Sequence, residues 1–280
     1  MTRSAATPDT DDTRTRMLIA FEMACRVFGA TGTDSPTTWG WKGRTLSGAI
    51  NLAAGPAWLR IARMPHGHPP SVFWTGNRDA HRELPASVPR PRLLRGTEFG
   101  DDAWDYCAEA FELLPASLLS GQPTTPWSVL PPQSWWQGLR TALRTVAGAR
   151  TSRFTIQPDR LDAMMGRVLG SGHHCAHPSL WEPAHGDLHW ANLTGPSLQI
   201  LDWEGWGMAP PGYDAATLLA YSLPDPAVAE AVHRQFTDQL DTPVGRCTQR
   251  AVLSEQLWAR WNEPSDEHTA AMSAALGRHA

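Results

Sequence analysis

Lysine is almost absent from this chain of 280 residues, since Lys42 is the only one among its 24 basic residues. The arginines that make up the rest are scattered, and the formal net charge is -4 with a pI near 6.2. No strongly basic segment is present of the kind that draws nucleic acid or anionic lipid to a protein. We therefore expect neither nucleic acid nor a membrane as a partner, and any phosphate-bearing ligand must be held by local groups.

Cysteine and long apolar runs are also scarce. The four cysteines lie far apart and form no CxxC pair, so a secreted disulfide framework is not indicated. No apolar run approaches the ~20 residues that span a bilayer. The N-terminal stretch MTRSAATPDTDDTRTR lacks the apolar core of a signal peptide. These absences predict a cytoplasmic protein with a loose tail over residues 1–12.

The first half of the chain combines one helix with short runs punctuated by glycine. Apolar residues recur at helical spacing in MLIAFEMACRVFG, which predicts a helix over 13–29. Between residues 38 and 63, TTWGWKGRTLSG, AINLAAG and AWLRIARM predict a small antiparallel sheet. TGNRDAHREL predicts a short helix, and two more strands are expected in PRPRLLRG and in the stretch through AEAFELLP.

Beyond Pro132 the pattern is mainly helical. Periodicity predicts helices in SWWQGLRTALRTVAG, PDRLDAMMGRVLG, GYDAATLLAYSL, DPAVAEAVHRQFTDQL and two C-terminal segments. A sheet-rich half is thus joined to a helical half by ELLPASLLSGQPTTPW. This organisation predicts two lobes, residues 13–115 and 116–280.

The helical half is interrupted by HGDLHWANLTGPSLQILDW, which contains Asp187, Asn192 and Asp202. Phosphoryl transfer needs metals on the phosphates, a carboxylate near the attacking hydroxyl and accurate positioning. Asp187 suits the role of base, and the oxygens of Asn192 and Asp202 suit a magnesium ion. The run between the last two residues predicts a hairpin around a Gly-Pro turn, which would place them side by side.

HGDLHWANL followed by ILDWE resembles the catalytic loop and metal-binding segment of the aminoglycoside phosphotransferase and choline kinase group, within the protein-kinase-like fold. The resemblance implies an α+β fold with a small antiparallel-sheet N-terminal lobe, a larger helical C-terminal lobe and an active cleft between them. It implies Mg²⁺ with ATP, or alternatively GTP, as cofactors. The implied acceptor is a hydroxyl of a small molecule such as an aminoglycoside, an amino alcohol or a sugar.

The same resemblance assigns two supporting residues. His185 would be a scaffold residue that hydrogen-bonds the backbone near the metal-binding aspartate, not a proton carrier. Asp214, in GMAPPGYDAATLLAYS, would brace the catalytic loop from the start of the next helix. The chain has no APE-like segment and little room between Asp202 and Pro211 for an activation loop, which favours a small-molecule substrate over a protein.

The nucleotide-binding half departs from the family pattern. Kinase-like enzymes hold phosphates with a strand lysine, but AWLRIARM contains none. Alternation puts Arg60 and Arg63 on opposite faces of the strand, and we assign the phosphate contact to Arg60. Its carboxylate partner is expected to be Asp79 or Glu83. GWKGRTLSG, with Gly43, is the candidate phosphate-covering loop.

Three other site types are weaker interpretations. A Walker A loop is excluded because Ala49 and Ile50 stand where a lysine and a hydroxyl residue are required. GDLH matches one piece of the metallophosphoesterase pattern, with His189 and Asp187 as ligands, but the DxH and GNH segments are missing. HHCAH, at 173–177, lacks the second ligand cluster that zinc requires.

The alternative function is a catalytically impaired, kinase-like module that binds nucleotide for regulation. The missing strand lysine favours it, whereas the intact Asp187, Asn192 and Asp202 oppose it. Among the 14 tryptophans, Trp203 and Trp206 lie near enough to the predicted cleft to stack on an aromatic ligand, although large aromatic side chains more often fill cores.

Overall fold

The computed structural model describes residues 10–68, 72–124, 130–170, 172–175 and 177–278. These residues divide into two compact units. The first holds the described residues up to His81 together with Pro91–Pro115, and the second holds Arg82–Arg90 together with the described residues from Ala116 onward. The sequence did not predict that 82–90 belong with the second unit, because that placement depends on distant contacts such as the bond from Ile200 N to Pro89 O (2.9 Å).

The first unit contains an antiparallel sheet and two helices, of which α1 precedes the strands and α2 lies between β4 and β5 in the chain. Its strands follow the order β1-β3-β4-β6-β5, and β2 pairs with β3. The elements are α1 (Asp11–Phe28), β1 (Thr31–Gly32), β2 (Thr38–Trp39), β3 (Thr45–Leu52), β4 (Gly55–Pro65), α2 (Val72–Glu83), β5 (Leu93–Gly100) and β6 (Trp104–Glu112).

Helix α1 begins earlier than the sequence predicted. The side chain of Thr10 accepts a hydrogen bond from Thr13 N and caps the helix, and Asp11 and Asp12 form its acidic first turn. Acidic side chains at this end are stabilised by the helix dipole. The predicted tail is therefore wrong at residues 10–12, and its remainder, residues 1–9, lies outside the described residues.

The two faces of β4 have different environments. Leu59 and Ile61 are fully buried in a core that they share with Met17 and Phe28 of α1. The intervening Arg60 faces the other way, as strand alternation predicts, and it lies opposite Glu109 in the β4–β6 ladder. One strand thus supplies both core packing and a buried charged residue.

The second unit is mainly helical. Two short antiparallel pairs, β8 with β10 and β7 with β9, accompany its helices. The elements are β7 (Ser117–Leu118), α3 (Gln133–Ala147), α4 (Pro158–Leu169), β8 (Glu182–Ala184), β9 (Thr194–Gly195), β10 (Gly207–Ala209), α5 (Tyr213–Ser222), α6 (Pro226–Gln235), α7 (Thr237–Leu240), α8 (Pro243–Ala259) and α9 (Glu267–Arg278). Within the described ranges, no helix is both long and apolar enough to cross a membrane.

The segment predicted as one helix, DPAVAEAVHRQFTDQL, is instead two. At Phe236 the backbone leaves the helical region (φ -121°, ψ 22°), and the phenylalanine side chain is fully buried. The break between α6 and α7 was missed because periodicity continues across it, while burial of this ring depends on neighbouring helices.

The sheet core can be tested with two isoleucine-to-alanine variants. Ile61 is 0% exposed, whereas Ile19 on the outer face of α1 is 51% exposed. We expect Ile61→Ala to lower the free energy of unfolding by about 2–5 kcal/mol, because it removes buried apolar surface and leaves a cavity.

Urea denaturation followed by tryptophan fluorescence measures both variants. Ile19→Ala is the matched control and should change stability by less than about 1 kcal/mol. Similar losses for the two variants would contradict the assigned core.

Candidate active site

The residues at both ends of the motif are brought together by a short strand pair. β8 runs directly into His185, and β10 begins shortly after Asp202. The two strands pair antiparallel, with Ala184 opposite Gly207. The start of the predicted catalytic loop and the end of the predicted metal-binding segment therefore lie side by side.

Asp214 binds the first two amides of the loop. Its carboxylate accepts hydrogen bonds from His185 N (2.8 Å) and Gly186 N (3.0 Å). Burial raises the pKa of Asp214, and the charge interaction with His185 and these two amides act against that rise. The carboxylate lies in the first turn of α5, so this helix fixes where the loop begins.

His185 connects the loop with the segment that carries Asp202. Its side chain is fully buried, its Nδ1 accepts a hydrogen bond from Asp187 N (3.3 Å), and its Nε2 lies 2.8 Å from Leu201 O. Burial lowers the pKa of His185, so the ring is neutral, and this pattern places its proton on Nε2. The imidazole therefore links the backbone of Asp187 with that of Leu201, the residue before Asp202.

Gly186 occupies a position that no other residue type fits. Its φ is +89°, and a Cβ would lie 2.5 Å from Gly205 O and 2.8 Å from the side chain of Thr155. Both the left-handed backbone and the lack of space require glycine. The loop consequently packs directly against the backbone of the turn after Asp202.

Asp187 presents its carboxylate to solvent from a fixed backbone. Its side chain is 45% exposed, and Oδ2 lies 3.5 Å from His189 Nε2. Its backbone N–H donates a hydrogen bond to His185 Nδ1, and its backbone oxygen accepts one from Asn192 Nδ2 (3.0 Å). The carboxylate is thus accessible to an incoming hydroxyl while its main chain is held on both sides.

Asn192 and Asp202 are brought next to each other by a chain reversal. Leu201 N donates to Asn192 O (2.8 Å), and Leu193 bridges to Ile200. The predicted reversal around the Gly-Pro turn is present, although strand β9 within it forms its ladder with β7 (Ser117–Leu118) and not with the returning segment. The sequence did not predict this pairing because β7 lies in the connector.

Asp202 has a left-handed backbone, with φ 57° and ψ 67°. An L-residue in this region costs about 1–2 kcal/mol, and aspartate tolerates it better than most. Burial disfavours protonation of His189, but the charges of Asp187 and Asp202 outweigh that effect and raise its pKa. The carboxylates on either side of the reversal therefore act on the same histidine.

These donors fit a magnesium ion better than zinc. Among the described residues, no group of three or more histidine, cysteine, aspartate or glutamate side chains is arranged to hold a metal. Magnesium at nucleotide sites commonly uses one or two protein oxygens and completes its shell with phosphates and water. The amide oxygen of Asn192 and the carboxylate of Asp202 match that requirement.

The histidines of HHCAH interact separately from one another. His174 lies 3.1 Å from Asp162, His173 contacts Gly170 O and His177 contacts Ser179. Ala176 lies outside the described residues. These contacts agree with a surface loop.

A second carboxyl group near Asp187 was missed from the sequence. Glu255 on α8 accepts a hydrogen bond from the Tyr213 hydroxyl. Burial raises the pKa of Glu255 to about 7, with the charge of Asp187 adding to the rise and the tyrosine bond acting against it. No local pattern in α8 marks this residue, because it becomes relevant only when α5 and α8 pack together.

Tyr221 forms the neighbouring side of this polar group. Its hydroxyl donates to Gln256 Oε1 (3.0 Å), and its ring lies 5.2 Å from the ring of His189. Burial raises the pKa of Tyr221 to about 12, and the charge of Asp187 adds to the effect. Helices α5 and α8 thus bring together polar groups on which the charge of Asp187 acts.

In the first unit, Arg60 has a buried environment built from three elements. Its Nη1 lies 3.7 Å from Glu109 Oε2. The same carboxylate oxygen accepts a hydrogen bond from Nδ2 of Asn77 in α2 (2.9 Å). Arg60 and Glu109 are 8% and 1% exposed. The sequence pointed to α2 for the carboxylate and missed Glu109, because only the β4–β6 register places it opposite Arg60.

The other residues predicted for the nucleotide-binding half have local partners. Asp79 accepts the Thr75 hydroxyl (2.7 Å), and Glu83 pairs with its neighbour Arg82 (2.7 Å). Arg63 donates Nε to Gly43 O (3.1 Å) and stacks over Trp104 at 4.0 Å. The two arginines of β4 therefore have distinct roles, and Arg63 supports the turn.

The glycine-rich segment forms a 3-10 turn, Trp41–Gly43. Gly43 has φ +64°, its amide donates to Gly40 O (3.0 Å), and Gly40 N donates to Thr45 O (2.9 Å). These two amides are used within the turn. The assignment of Gly43 and Asp79 to nucleotide binding stays a prediction.

The two tryptophans considered for ligand stacking are core residues. Trp203 is 3% exposed and Trp206 is 0% exposed, and the Trp203 ring packs edge-on against His185 at 4.6 Å. Of the two roles considered for these tryptophans, core packing is the one that their burial supports.

Neither a family model nor a curated protein sequence matches the chain. Its structure, however, resembles solved phosphotransferases. A thermostable mutant of an aminoglycoside phosphotransferase, in ternary complex with ADP and hygromycin B, matches with a TM-score of 0.63 and 15% identity over 92% of this chain and 98% of that chain. The apo form of such a mutant matches with a TM-score of 0.63 and 14% identity, again over 92% of this chain and 98% of that chain.

A putative fructosamine-3-kinase from Haemophilus somnus matches over 96% of this chain and 99% of its own, with a TM-score of 0.51 and 9% identity. Likeness at these identities establishes the fold. The predicted α+β, kinase-like fold is therefore confirmed, with an antiparallel sheet in the first unit and mainly helices in the second.

The close packing at Gly186 can be tested with alanine. We expect Gly186→Ala to lower the free energy of unfolding by about 2–4 kcal/mol, because it combines a strained positive φ with a clash against backbone. Gly166, in helix α4, has open space where a Cβ would lie.

Gly166→Ala is the matched control and should raise stability by about 0.5–1 kcal/mol, since alanine favours the helix. Urea denaturation gives both values. Opposite signs for the two variants are expected, and a neutral Gly186→Ala would refute the close approach.

The environment of Glu255 predicts a pH dependence. Because its folded pKa of about 7 lies above the ordinary value, its contribution to stability is complete below about pH 4.3 and is lost as the pH rises through 7. Glu255→Gln keeps an oxygen for Tyr213 but removes the titration. The free energy of unfolding of the variant, minus that of wild type, should therefore be larger at pH 8 than at pH 5.

Thermal unfolding at the two pH values measures this difference. Glu267→Gln, at an exposed position of α9, is the control and should show little change between them. A Glu255→Gln difference that stays constant with pH would show that the carboxyl titrates normally.

Proposed function

We propose that this chain is a phosphotransferase that uses magnesium and a nucleoside triphosphate, ATP or GTP, to phosphorylate a hydroxyl of a small molecule. The observation that carries the proposal is the half-exposed carboxylate of Asp187 on a loop fixed by His185 and Asp214, with Asn192 and Asp202 beside it. Solved proteins of the same fold hold ADP or AMP-PNP together with hygromycin B. Their ligands support the same pairing of nucleotide and hydroxyl-bearing acceptor here.

Asp187 is the proposed base. Its carboxylate accepts a hydrogen bond from the acceptor hydroxyl and takes the proton as the new O–P bond forms and the bond to the leaving nucleoside diphosphate breaks. Such general base catalysis contributes roughly 10²–10⁴ in rate. The neutral His185 does not carry the proton, because both its nitrogens are bonded to backbone groups.

Asn192 and Asp202 are the proposed magnesium ligands. When bound, the ion neutralises charge on the phosphates and orients them. Asn192 uses its amide nitrogen to bind Asp187 O, which directs the base and leaves the amide oxygen for the metal. The two functions are thus linked by one side chain.

Arg60 is the proposed phosphate contact in place of the missing strand lysine. A guanidinium group can bind phosphate through two parallel hydrogen bonds, whereas an ammonium acts as a point charge. Glu109 and Asn77 hold this group in a defined position, as a helix carboxylate holds the strand lysine in the resembled enzymes. Gly43 and Asp79 are the further nucleotide contacts that we propose.

The second candidate is a nucleotide-binding module without turnover. The missing lysine favours it, and the site around Asp187 opposes it because a structural module has no need for a fixed, accessible carboxylate. The short link from Asp202 to Pro211 continues to favour a small molecule over a protein as acceptor.

Nucleotide binding and turnover can be separated with two isosteric variants. We expect wild type to be stabilised against thermal unfolding by ATP or GTP only with magnesium, and to phosphorylate a member of a panel of hydroxyl compounds. Asp187→Asn should keep the nucleotide-dependent shift and lose turnover by a factor of at least about 10², because only the base is removed.

Asp202→Asn should lose most of the nucleotide-dependent shift, because it removes a metal ligand. Equal loss of binding in both variants would contradict the assigned roles. No shift in wild type with either nucleotide would contradict the proposed function, and a shift without turnover on any acceptor would favour the regulatory module.

A further inference from the structure

Arg153 contacts the turn that follows Asp202 from outside the motif. It lies in the loop between α3 and α4. Its Nε donates to Trp206 O (3.1 Å) and its Nη2 donates to Glu204 O (3.2 Å). Carbonyls at the end of a helical turn have no partner within the turn. The guanidinium group supplies those partners with the two-pronged geometry that arginine provides.

The backbone beside Arg153 is fixed against the same segment. Met208 N donates to Arg153 O (2.8 Å), and Thr155 N donates to Met208 O (3.1 Å). A Cβ on Gly207 would lie 2.8 Å from Phe154 C, so the two backbones are in direct contact. Because Met208 belongs to β10, which pairs with β8, Arg153 is held by the same short sheet that joins the two ends of the motif.

Asp202 depends on both its neighbours to keep its left-handed backbone. Conformations of this kind persist only where the surrounding structure fixes them. On the preceding side, Leu201 is held through its oxygen by His185 and through its amide by Asn192. On the following side, the turn Trp203–Gly205 and the oxygen of Trp206 are held by Arg153.

We infer that Arg153 is a positioning residue for the metal ion. It fixes the turn after Asp202 so that the aspartate carboxylate and the amide oxygen of Asn192 are presented together to magnesium. This inference rests on the proposed function. Loss of Arg153 weakens metal binding while Asp187 remains in place, because the loop of Asp187 is held separately by Asp214 and His185.

Binding of Mn²⁺ in the presence of ADP, followed by electron paramagnetic resonance, tests the inference without turnover. Replacing residues that orient metal ligands commonly costs 10–100-fold in metal affinity. We expect Arg153→Gln to raise the half-saturating Mn²⁺ concentration at least about tenfold. Arg153→Lys should fall between this variant and wild type, since an ammonium group retains the charge but not the fork.

Arg167→Gln is the matched control. The Arg153 guanidinium lies over the Trp206 ring at 5.9 Å, and the Arg167 guanidinium lies over the Trp258 ring at 5.4 Å, outside the site. The Arg167→Gln variant should bind Mn²⁺ as wild type does. All measurements are made well below the unfolding temperature of each variant. Once an acceptor is found, its KM should be unchanged in Arg153→Gln while the magnesium requirement of the reaction rises.

Wild-type Mn²⁺ affinity in Arg153→Gln, with or without a lower unfolding temperature, would overturn the inference and leave a purely structural role. If that variant does not fold, wild-type affinity in Arg153→Lys overturns it equally. Absence of Mn²⁺ binding by wild type would overturn the proposed function and this inference together, so the two failures are distinguishable.

Discussion

The arrangement of the site depends on the carboxylate of Asp214, which accepts hydrogen bonds from two backbone amides. A buried, bonded carboxylate at the start of α5 fixes His185 and Gly186, and through His185 it fixes the backbone of both Asp187 and Leu201. Removing this acceptor would leave one buried and one part-buried donor unsatisfied, which is costly in a protein interior. The proposed base and the proposed metal-binding segment are therefore positioned by one helix.

Close backbone contact is the second constraint. Gly186 lies against Gly205, and Gly207 lies against Phe154, with no space for a side chain at either glycine. Three chain segments meet there in close contact. This proximity allows a neutral histidine and one arginine to hold Asp202 in a conformation that its own preferences disfavour.

Local features of this structure were predictable from sequence and non-local ones were not. The periodicity of MLIAFEMACRVFG and the alternation around Arg60 predicted α1 and the two faces of β4, because both patterns express burial of nearby residues. Asp187, Asn192 and Asp202 could be proposed as site residues because they lie in one short segment. Glu109, Glu255 and Arg153 were missed, since each becomes relevant only through strand register, helix packing or a loop contact.

Helix α5 sets the dimensions of the loop that carries Asp187. Asp214 holds the start of the loop, and Ser222, eight residues further along the helix (222 - 214), accepts the indole N–H of Trp190 (2.9 Å). At 1.5 Å per residue these attachment points are about 12 Å apart. Because a helix cannot shorten or lengthen, the loop between them has a fixed span. Under the proposed function, acceptors of different size must then be accommodated by the surrounding helices, while the reacting centre keeps its geometry.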